Sequence, residues 1–322
     1  MTISINNSLL TLLAQCETKA WLRWAQELVP GLRAEPGPME VGQVLHVGFD
    51  AWMRGCADEE VLGRFDRAWA EVIGEQVPKQ ERLACANVRL CFSHWLMQAP
   101  RRQGIMVLET ETMFEVPLGE VNGEEVVYYG TPDALIEWHG ELYVLDHKST
   151  SDIDDYWGEQ WTMNTGLQGY VWSLRQLGHK VKGAFVNGME VKRLPPWDGN
   201  MEKKCTGHKV KYKECQGLHV SSRWVGPLWW SDARLEQWRT DVLRMVGKLQ
   251  VLQELISTTA AAWIETLIKM DGQWRWPGCN GGRGFGPCPY RAFCQAGRPV
   301  QGLTQMMVHS PWKRLVAMEE GQ

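Results

Sequence analysis

The most informative segment of the chain is Gly130-Thr131-Pro132-Asp133-Ala134-Leu135-Ile136-Glu137-Trp138-His139-Gly140-Glu141-Leu142-Tyr143-Val144-Leu145-Asp146-His147-Lys148-Ser149-Thr150. Its two apolar runs flank His139-Gly140, which we predict to be a two-residue hairpin turn. Gly suits the second position of such a turn, and His tolerates a left-handed backbone better than most residues. Counting back along both strands from this turn places Asp133 opposite Asp146, on one face, with Cβ atoms about 4.5–5.5 Å apart. The segment therefore predicts a β-hairpin that carries two opposed carboxylates.

A lysine lies beside the two carboxylates. Lys148 comes two residues after Asp146 and therefore projects on the same face of the strand. Opposed carboxylates repel each other and weaken a hairpin, so that positive charge has to offset them. A divalent cation together with the Lys148 ammonium would do so, and oxygen ligands suit Mg²⁺ or Mn²⁺. The alternative is a surface salt bridge between Lys148 and Asp133 or Asp146.

The composition is that of a folded chain with a modest negative charge. The 322 residues are 44% hydrophobic and 22% charged, and the net charge is −4. Such a chain can bury a core, and nucleic acid would have to bind in a local groove because there is no uniformly basic coat. We find no signal peptide and no apolar stretch of the roughly 20 residues that span a bilayer, and we expect a cytoplasmic protein without a membrane partner.

Hydrophobic periodicity predicts a mixed chain of class α/β or α+β. The helical pattern predicts helices over 8–27, 39–55, 58–75, 80–98, 158–177 and 232–256. Runs rich in β-branched and aromatic residues predict strands over 107–118, 126–138, 141–148 and 182–191. We expect one composite domain with a helical part over 1–100, a core over 101–192, an irregular basic insertion over 193–231 and a Cys-rich C-terminal part over 232–322.

The hairpin segment resembles the catalytic core of the PD-(D/E)XK nuclease superfamily. The resemblance lies in Gly130, Asp133 and the triplet Asp146-His147-Lys148, with Asp146 where Glu is often found. Within it, the chain resembles the RecB/AddB-like iron–sulfur exonuclease branch, which includes CRISPR adaptation nucleases and phage-encoded exonucleases. The resemblance implies a restriction-endonuclease-like core sheet flanked by helices. It also implies hydrolysis of DNA phosphodiester bonds with Mg²⁺ or Mn²⁺, held by Asp133, Asp146 and the backbone carbonyl of His147, with Lys148 as a catalytic residue.

A second motif precedes the hairpin. The run Gly42-Gln43-Val44-Leu45-His46 is similar to the early helical His motif of this branch, which implies that His46 is catalytic and reaches the metal. Asp50, one turn further on, could orient the His46 ring, and a His on a helix face whose hydrogen bonds are satisfied and which binds no metal is the alternative. The family often carries an acidic residue near Glu109 or Glu111, whose role stays open beside that of an exposed strand Glu.

A third motif follows the hairpin. The branch usually places Gln and Tyr four residues apart on one helical face, where they contact DNA and the catalytic Lys. Here Gln168 and Tyr170 are two residues apart and point in different directions, so that we expect only one of them to keep that role. A solvated Gln and a buried Tyr are the alternative.

The nine Cys favour metal ligation and buried thiols over disulfides. Three of them lie in one Gly-rich coil, and a fourth thiolate would have to come from elsewhere. One N-terminal and three C-terminal Cys resemble the branch's 4Fe–4S arrangement, a staple that joins the two ends of the chain, which implies Cys16, Cys279, Cys288 and Cys294 as ligands. Zinc is the alternative metal. The eight residues between Cys279 and Cys288 exceed the family's usual two.

Two other functions compete with a DNA exonuclease of recombination, repair or phage DNA metabolism. One is a catalytically idle iron–sulfur subunit for DNA binding or assembly. The other is a zinc-binding nucleic-acid module at Cys205, His208, Cys215 and His219. The chain has no phosphate-binding Gly-x-x-x-x-Gly-Lys-[Ser/Thr] loop, so that a helicase, recombinase or single-strand-binding protein would be a separate partner.

Overall fold

The structure is a computed structural model, and it describes residues 2–20, 28–30, 36–76, 78, 80–98, 104–192, 202, 204, 211, 220–258 and 307–309. In chain order these ranges contain β1 (Thr2–Ile5), α1 (Asn7–Gln15), α2 (Glu17–Ala20), β2 (Leu28–Pro30), α3 (Pro38–Met53), α4 (Asp58–Val72), α5 (Cys85–Gln98), β3 (Ile105–Thr110), β4 (Phe114–Val121), β5 (Glu124–Gly130), β6 (Ala134–Trp138), β7 (Glu141–Thr150), α6 (Thr165–Gln176), β8 (Val181–Glu190), β9 (Ser222–Trp229), α7 (Asp232–Thr258) and β10 (Met307–His309). Two compact units result. One is Ala34–Phe114 with Thr131–Ser231, and the other is Met1–Arg33 with Glu115–Gly130 and Asp232–Gln322.

The unit that contains the predicted hairpin is built on a five-stranded sheet in the order β3-β6-β7-β8-β9. β7 and β8 run parallel, and the remaining pairs are antiparallel. Parallel strands need a crossover between them, which α6 supplies. A central strand that is covered on both faces has to be apolar nearly throughout. β8 fits this requirement, because Lys182 is its one exposed residue.

Alternate residues of the central strands belong to two different layers. Ile136, Leu145 and Phe185 join a core formed with α3, α4 and α5. Val144 and Val186 are buried outside that core, and α6 packs against β7 and β8. Helices therefore flank the sheet, which confirms the predicted mixed α/β fold with a central sheet.

Aromatic side chains hold the three N-terminal helices of this unit together. Phe49 of α3 packs edge-on against Phe92 and Trp95 of α5, with ring centroids 5.4 and 4.9 Å apart. Phe92 and Trp95 stack on each other, and Phe65 of α4 stacks on Phe92. All four rings are at most 1% exposed, so that this core is rigid and closely packed.

The other unit brings together parts of the chain that are distant in sequence. Its three-stranded sheet has the order β1-β5-β4, with β1 parallel to β5. α7 packs beside this sheet, where Arg239 Nη1 donates to the carbonyl of Leu118. β2 and β10 pair antiparallel and so join an N-terminal segment to a C-terminal one.

Two of the predicted strands are wrong, because each is divided between two sheets. The predicted strand over 107–118 is β3 and β4, separated where Glu111 has a left-handed backbone (φ 52°). The predicted strand over 126–138 is β5 and β6, separated at Thr131-Pro132-Asp133. Apolar runs do not reveal such breaks, since both pieces keep the same hydrophobic alternation.

Three further differences have local causes. The predicted helix over 8–27 is interrupted at Cys16, whose backbone is extended, so that α1 ends at Gln15 and α2 follows as a separate short helix, while residues 21–27 lie outside the described ranges. The predicted helix over 158–177 begins at Thr165, where the Asn164 side chain caps it. β9 lies inside the predicted irregular segment, and its Pro227 is the residue type that sheets confine to edge strands. In the described part of the chain, no helix combines the length and apolarity needed to span a membrane.

Two glycine substitutions on neighbouring helices test the packing of this core. A Cβ on Gly48 of α3 would lie 2.5 Å from Phe92, which is fully buried. We expect Gly48→Ala to lower the free energy of unfolding by about 1–2 kcal/mol through overpacking. Gly63→Ala in α4 meets only Arg67 at 3.7 Å and should raise the free energy of unfolding by about 0.5–1 kcal/mol, as Gly-to-Ala does in an open helix. Urea unfolding measures both, and equal signs would contradict the packing.

Candidate active site

The hairpin has the predicted turn and register. His139 and Gly140 both have positive φ, 51° and 77°, as a type I′ turn requires. The ladder runs from Trp138 opposite Glu141 to Ala134 opposite Leu145. One step further along the same register places Asp133 opposite Asp146, at the end of the strand pair. The tight turn therefore sets which two carboxylates face each other.

Asp133 is the centre of the site, and three elements converge on it. Its carboxylate lies 3.0 Å from Nδ1 of His46 on α3. The backbone N–H of His147 on β7 donates to Oδ2 of the same carboxylate. The backbone N–H of Glu111 donates to the carbonyl oxygen of Asp133 over 3.1 Å. Because Asp133 is only 6% exposed, the contacts from His46 and His147 replace the water that its carboxylate would otherwise bind.

Asp146 has a different partner. Lys148 Nζ lies 2.5 Å from Asp146 Oδ2, and both side chains leave β7 on the same face, as their spacing predicts. Asp146 is 4% exposed, whereas the Lys148 side chain is 38% exposed. The amine therefore reaches from a buried carboxylate to solvent.

The two carboxyl groups are shifted in opposite directions. Burial raises the pKa of Asp133, but attraction to His46 and Lys148 exceeds this effect and holds that pKa well below its usual range. At Asp146, burial and the charge of Asp133 together outweigh Lys148 and raise the pKa. Paired titratable groups with opposed shifts are typical of functional sites. Asp133 is therefore the group that stays ionised most readily.

The surroundings raise the pKa of both basic groups of the site and so favour their charged forms. Burial alone would lower the pKa of His46, but the charge of Asp133 and its hydrogen bond raise it. Burial also works against the charged form of Lys148, whose pKa is raised because Asp146 and Asp133 attract the ammonium. Each base thus compensates a carboxylate of the hairpin in the absence of other cations.

Glu111 is a member of the site whose role the sequence left open. It follows the end of β3, and its left-handed backbone turns it toward Asp133, whereas Glu109 is exposed on β3. Burial and the charge of Asp133 raise the pKa of Glu111 to about 7. The sequence signal that could have found it is the polar break Glu111-Thr112 between two apolar strands, directly upstream of the hairpin.

His46, Glu111 and Asp133 form a group that can hold a metal ion. Each of these three described residues offers one ligand atom, and the three ligand atoms lie within 4.8 Å of one another. Two carboxylates and one imidazole are suitable ligands for Mn²⁺ or Mg²⁺. The repulsion between Glu111 and Asp133, which already raises the pKa of Glu111, is the kind of strain that a bound cation relieves. The donor set therefore fits a divalent metal.

The side chain of His147 points away from this group. Its ring stacks on Phe49 with centroids 4.5 Å apart, and Nδ1 lies 3.1 Å from Asn187 Nδ2. Burial lowers the pKa of His147 to about 3, so that the ring is neutral. Only the backbone of His147 is available to the metal site, and its carbonyl stays a predicted ligand.

Asp50, which the sequence offered as a partner for His46, has another contact. Its Oδ1 accepts a hydrogen bond from Arg54 Nε over 2.9 Å, whereas the His46 ring is oriented by Asp133. The i, i+4 spacing from His46 to Asp50 was compatible with a contact, but a basic residue one turn further along competes for the same carboxylate.

Gln168 and Tyr170 have different surroundings on α6. Gln168 is fully buried, its Nε2 donates to the Asn164 carbonyl, and its Oε1 has no hydrogen-bond partner within the described ranges. The Tyr170 ring is partly exposed and packs edge-on against Phe114, with centroids 6.0 Å apart. Which of them acts at the site stays a prediction.

Most of the ligands predicted for the two cysteine-containing metal sites lie outside the described residues. These are Cys279, Cys288 and Cys294 of the cluster, and Cys205, His208, Cys215 and His219 of the alternative zinc site. Cys16 is described, and it lies partly buried between α1 and α2. The 4Fe–4S assignment therefore stays a prediction.

Removing one carboxylate from the proposed metal site should stabilise the metal-free protein. A Glu whose folded-state pKa is raised contributes stability below its unfolded pKa of about 4.5, and this contribution is lost as the pH rises through about 7. In EDTA at pH 8, we expect Glu111→Gln to raise the melting temperature by about 2–4 °C, with little difference at pH 5.

Added Mn²⁺ should then stabilise the wild type more than Glu111→Gln. Glu109→Gln is the matched control, since this residue is two positions away but exposed, and it should behave as the wild type does. A pH-independent difference for Glu111→Gln would contradict the assignment.

The chain is similar to known proteins in two kinds of comparison, one with solved structures and one with protein families. The chain is similar over 77% of its length to 76% of the chain in a solved structure entitled "Crystal structure of SSO0001", at 10% identity and a TM-score of 0.33. No curated protein matches the chain. The family model for the PD-(D/E)XK nuclease superfamily matches residues 4–295. The chain therefore belongs to the PD-(D/E)XK nuclease superfamily.

Proposed function

We propose that this protein is a metal-dependent deoxyribonuclease that hydrolyses phosphodiester bonds with Mg²⁺ or Mn²⁺. The observation that supports this most strongly is the convergence of His46, Glu111 and Asp133 at the end of the hairpin, next to the pair of Asp146 and Lys148. Membership of a nuclease superfamily gives this arrangement its chemistry. In the proposal, the catalytic residues are His46, Asp133, Asp146 and Lys148, joined by Glu111 and by either Gln168 or Tyr170.

Each residue of the proposed site has a separate task. A bound divalent metal would polarise the scissile phosphate and lower the pKa of a bound water. Asp133, Glu111 and His46 would hold that metal, with Asp146 and the His147 carbonyl as further oxygen ligands. Lys148 reaches solvent from Asp146, so that its ammonium can position the attacking water and offset charge on the phosphate.

The finer assignment is an exonuclease of the RecB/AddB-like iron–sulfur branch that acts on DNA ends. Its support is the location of the motif His, His46, beside Asp133, and the pairing of β2 with β10. That pairing joins an N-terminal segment, after Cys16, to a C-terminal one, after Cys294. A 4Fe–4S cluster on Cys16, Cys279, Cys288 and Cys294 would tie together the same two parts of the chain.

Replacing a carboxylate of the hairpin should abolish cleavage without unfolding the protein. We expect Asp146→Asn to lower the rate of DNA hydrolysis in Mn²⁺ by at least about a hundredfold, because a charge partner of Lys148 and a metal ligand are lost together. End-labelled linear DNA and a covalently closed circle are the substrates, and an exonuclease should degrade only the linear one.

Glu137→Gln is the matched control for this variant. Glu137 is a carboxylate of the same hairpin, but its partner in the ladder is Leu142, towards the turn and away from Asp133. It should keep wild-type cleavage. Equal rates for the wild type and Asp146→Asn, or cleavage that survives EDTA, would contradict the proposal.

Anaerobic purification tests the cluster separately. We expect a brown protein with about four iron atoms per chain, and a lower iron content in Cys16→Ser and Cys288→Ser. Cys91→Ser is the control, because Cys91 is buried in the core, with Sγ 3.3 Å from the Lys192 carbonyl. Bound zinc without iron, or full iron content in both cluster variants, would exclude the iron–sulfur assignment.

A further inference from the structure

A buried polar pair lies between the aromatic core and the proposed metal site. His147 of β7 and Asn187 of β8 are cross-strand neighbours in the sheet, and both are buried almost completely. Asn187 Nδ2 lies 3.1 Å from Nδ1 of His147. Within the described ranges, the buried Oδ1 of Asn187 has no hydrogen-bond partner. A buried acceptor without a donor costs stability, so that packing alone does not account for an Asn at this position of a central strand.

The contacts of the two ring nitrogens define the state of His147. An amide nitrogen can only donate, so that Asn187 Nδ2 donates to Nδ1 of His147 and the ring proton lies on Nε2. Nε2 lies 3.3 Å from Sδ of Met53 on α3, and a thioether sulfur is a weak acceptor for such a proton. The ring is therefore held by β8 at one nitrogen and by α3 at the other.

The face of the same ring also contacts α3. It stacks on Phe49 with ring centroids 4.5 Å apart and an interplanar angle of 12°. Phe49 comes three residues after His46, so that the stacked phenyl ring and the predicted metal-binding imidazole belong to one turn of α3. The His147 ring therefore fixes the distance between β7 and the part of α3 that carries His46.

The backbone of His147 contacts the other side of the proposed metal site. Its N–H donates to Oδ2 of Asp133, and the second oxygen of that carboxylate lies 3.0 Å from Nδ1 of His46. His147 thus contacts the helix of one predicted ligand through its ring and the carboxylate of another through its backbone. A displacement of the ring would change the separation of these two ligands, and groups that orient metal ligands contribute strongly to metal affinity.

We propose that His147 and Asn187 are positioning residues that set the affinity of the site for its divalent cation. Asn187 orients the His147 ring, and the ring holds His46 and Asp133 at the separation that the cation requires. Neither side chain touches the cation or the substrate. This inference rests on the proposed function, and it gives a task to a buried amide that stability does not explain.

Isothermal titration of the full-length protein with Mn²⁺ tests this inference without a cleavage assay. Groups that orient metal ligands typically contribute ten- to a hundredfold to affinity, so that we expect His147→Ala and Asn187→Leu each to raise the Kd for Mn²⁺ by about that factor. Leu has the same number of side-chain heavy atoms and the same branching as Asn. The melting temperature of Asn187→Leu should stay near that of the wild type, because removal of the unpaired oxygen offsets the lost hydrogen bond.

A double variant tests whether Asn187 acts through the ring. We expect His147→Ala combined with Asn187→Leu to bind Mn²⁺ no more weakly than His147→Ala alone, because residues that act through one another are not additive. Additive losses would contradict the inference. If His147→Ala does not fold, the Kd of Asn187→Leu decides, since this variant keeps the ring.

Phe65→Leu is the matched control for a loosened core. Phe65 is fully buried in the same core and stacks on Phe92, with ring centroids 5.7 Å apart. It belongs to α4, which carries none of the three proposed ligands His46, Glu111 and Asp133. We expect this variant to lower the melting temperature and to leave the Kd for Mn²⁺ unchanged.

The outcomes separate the inference from the proposed function. If the wild type binds Mn²⁺ and Asn187→Leu binds it equally well, the inference is wrong and the metal site stands. If Phe65→Leu weakens binding as much as His147→Ala does, general loosening of the core explains the effect and the inference is again wrong. If the wild type does not bind Mn²⁺, the proposed metal-dependent function itself fails.

Discussion

The repulsion between two buried carboxylates is the constraint on which the site depends. Asp133 and Asp146 face each other at the end of the hairpin, and both are at most 6% exposed. Buried charges are tolerated only when they are paired. His46 provides one counter-charge from α3 and Lys148 provides the other from β7. Two separate elements of the fold must therefore be held in place for the hairpin to keep its charges.

A buried histidine, His147, connects β7 to α3. The His147 ring stacks on Phe49 and lies beside Asn187, while its backbone N–H holds the Asp133 carboxylate. One residue therefore links the aromatic core to the proposed metal site. Because Phe49 is one turn after His46 on the same helix, the position of the imidazole relative to Asp133 follows from the packing of the core.

The connection between β7 and α6, residues 151–164, combines buried indole rings with exposed carboxylates. Trp157 and Trp161 bury themselves against the sheet, which leaves Tyr156 and several carboxylates in solvent. The acidic side chains of this connection and the overall net charge of −4 are both unfavourable for binding nucleic acid uniformly over the surface.

The hairpin follows from local sequence alone. The turn residues His139-Gly140 fix a register of period two, and this register alone sets Asp133 opposite Asp146 and places Lys148 on the same face. Which other groups join these residues is set by tertiary packing. Glu111 reaches Asp133 because a left-handed residue separates β3 from β4, and Asp50 pairs with Arg54 instead of His46. Such contacts depend on where distant segments pack, which local patterns of hydrophobicity do not specify.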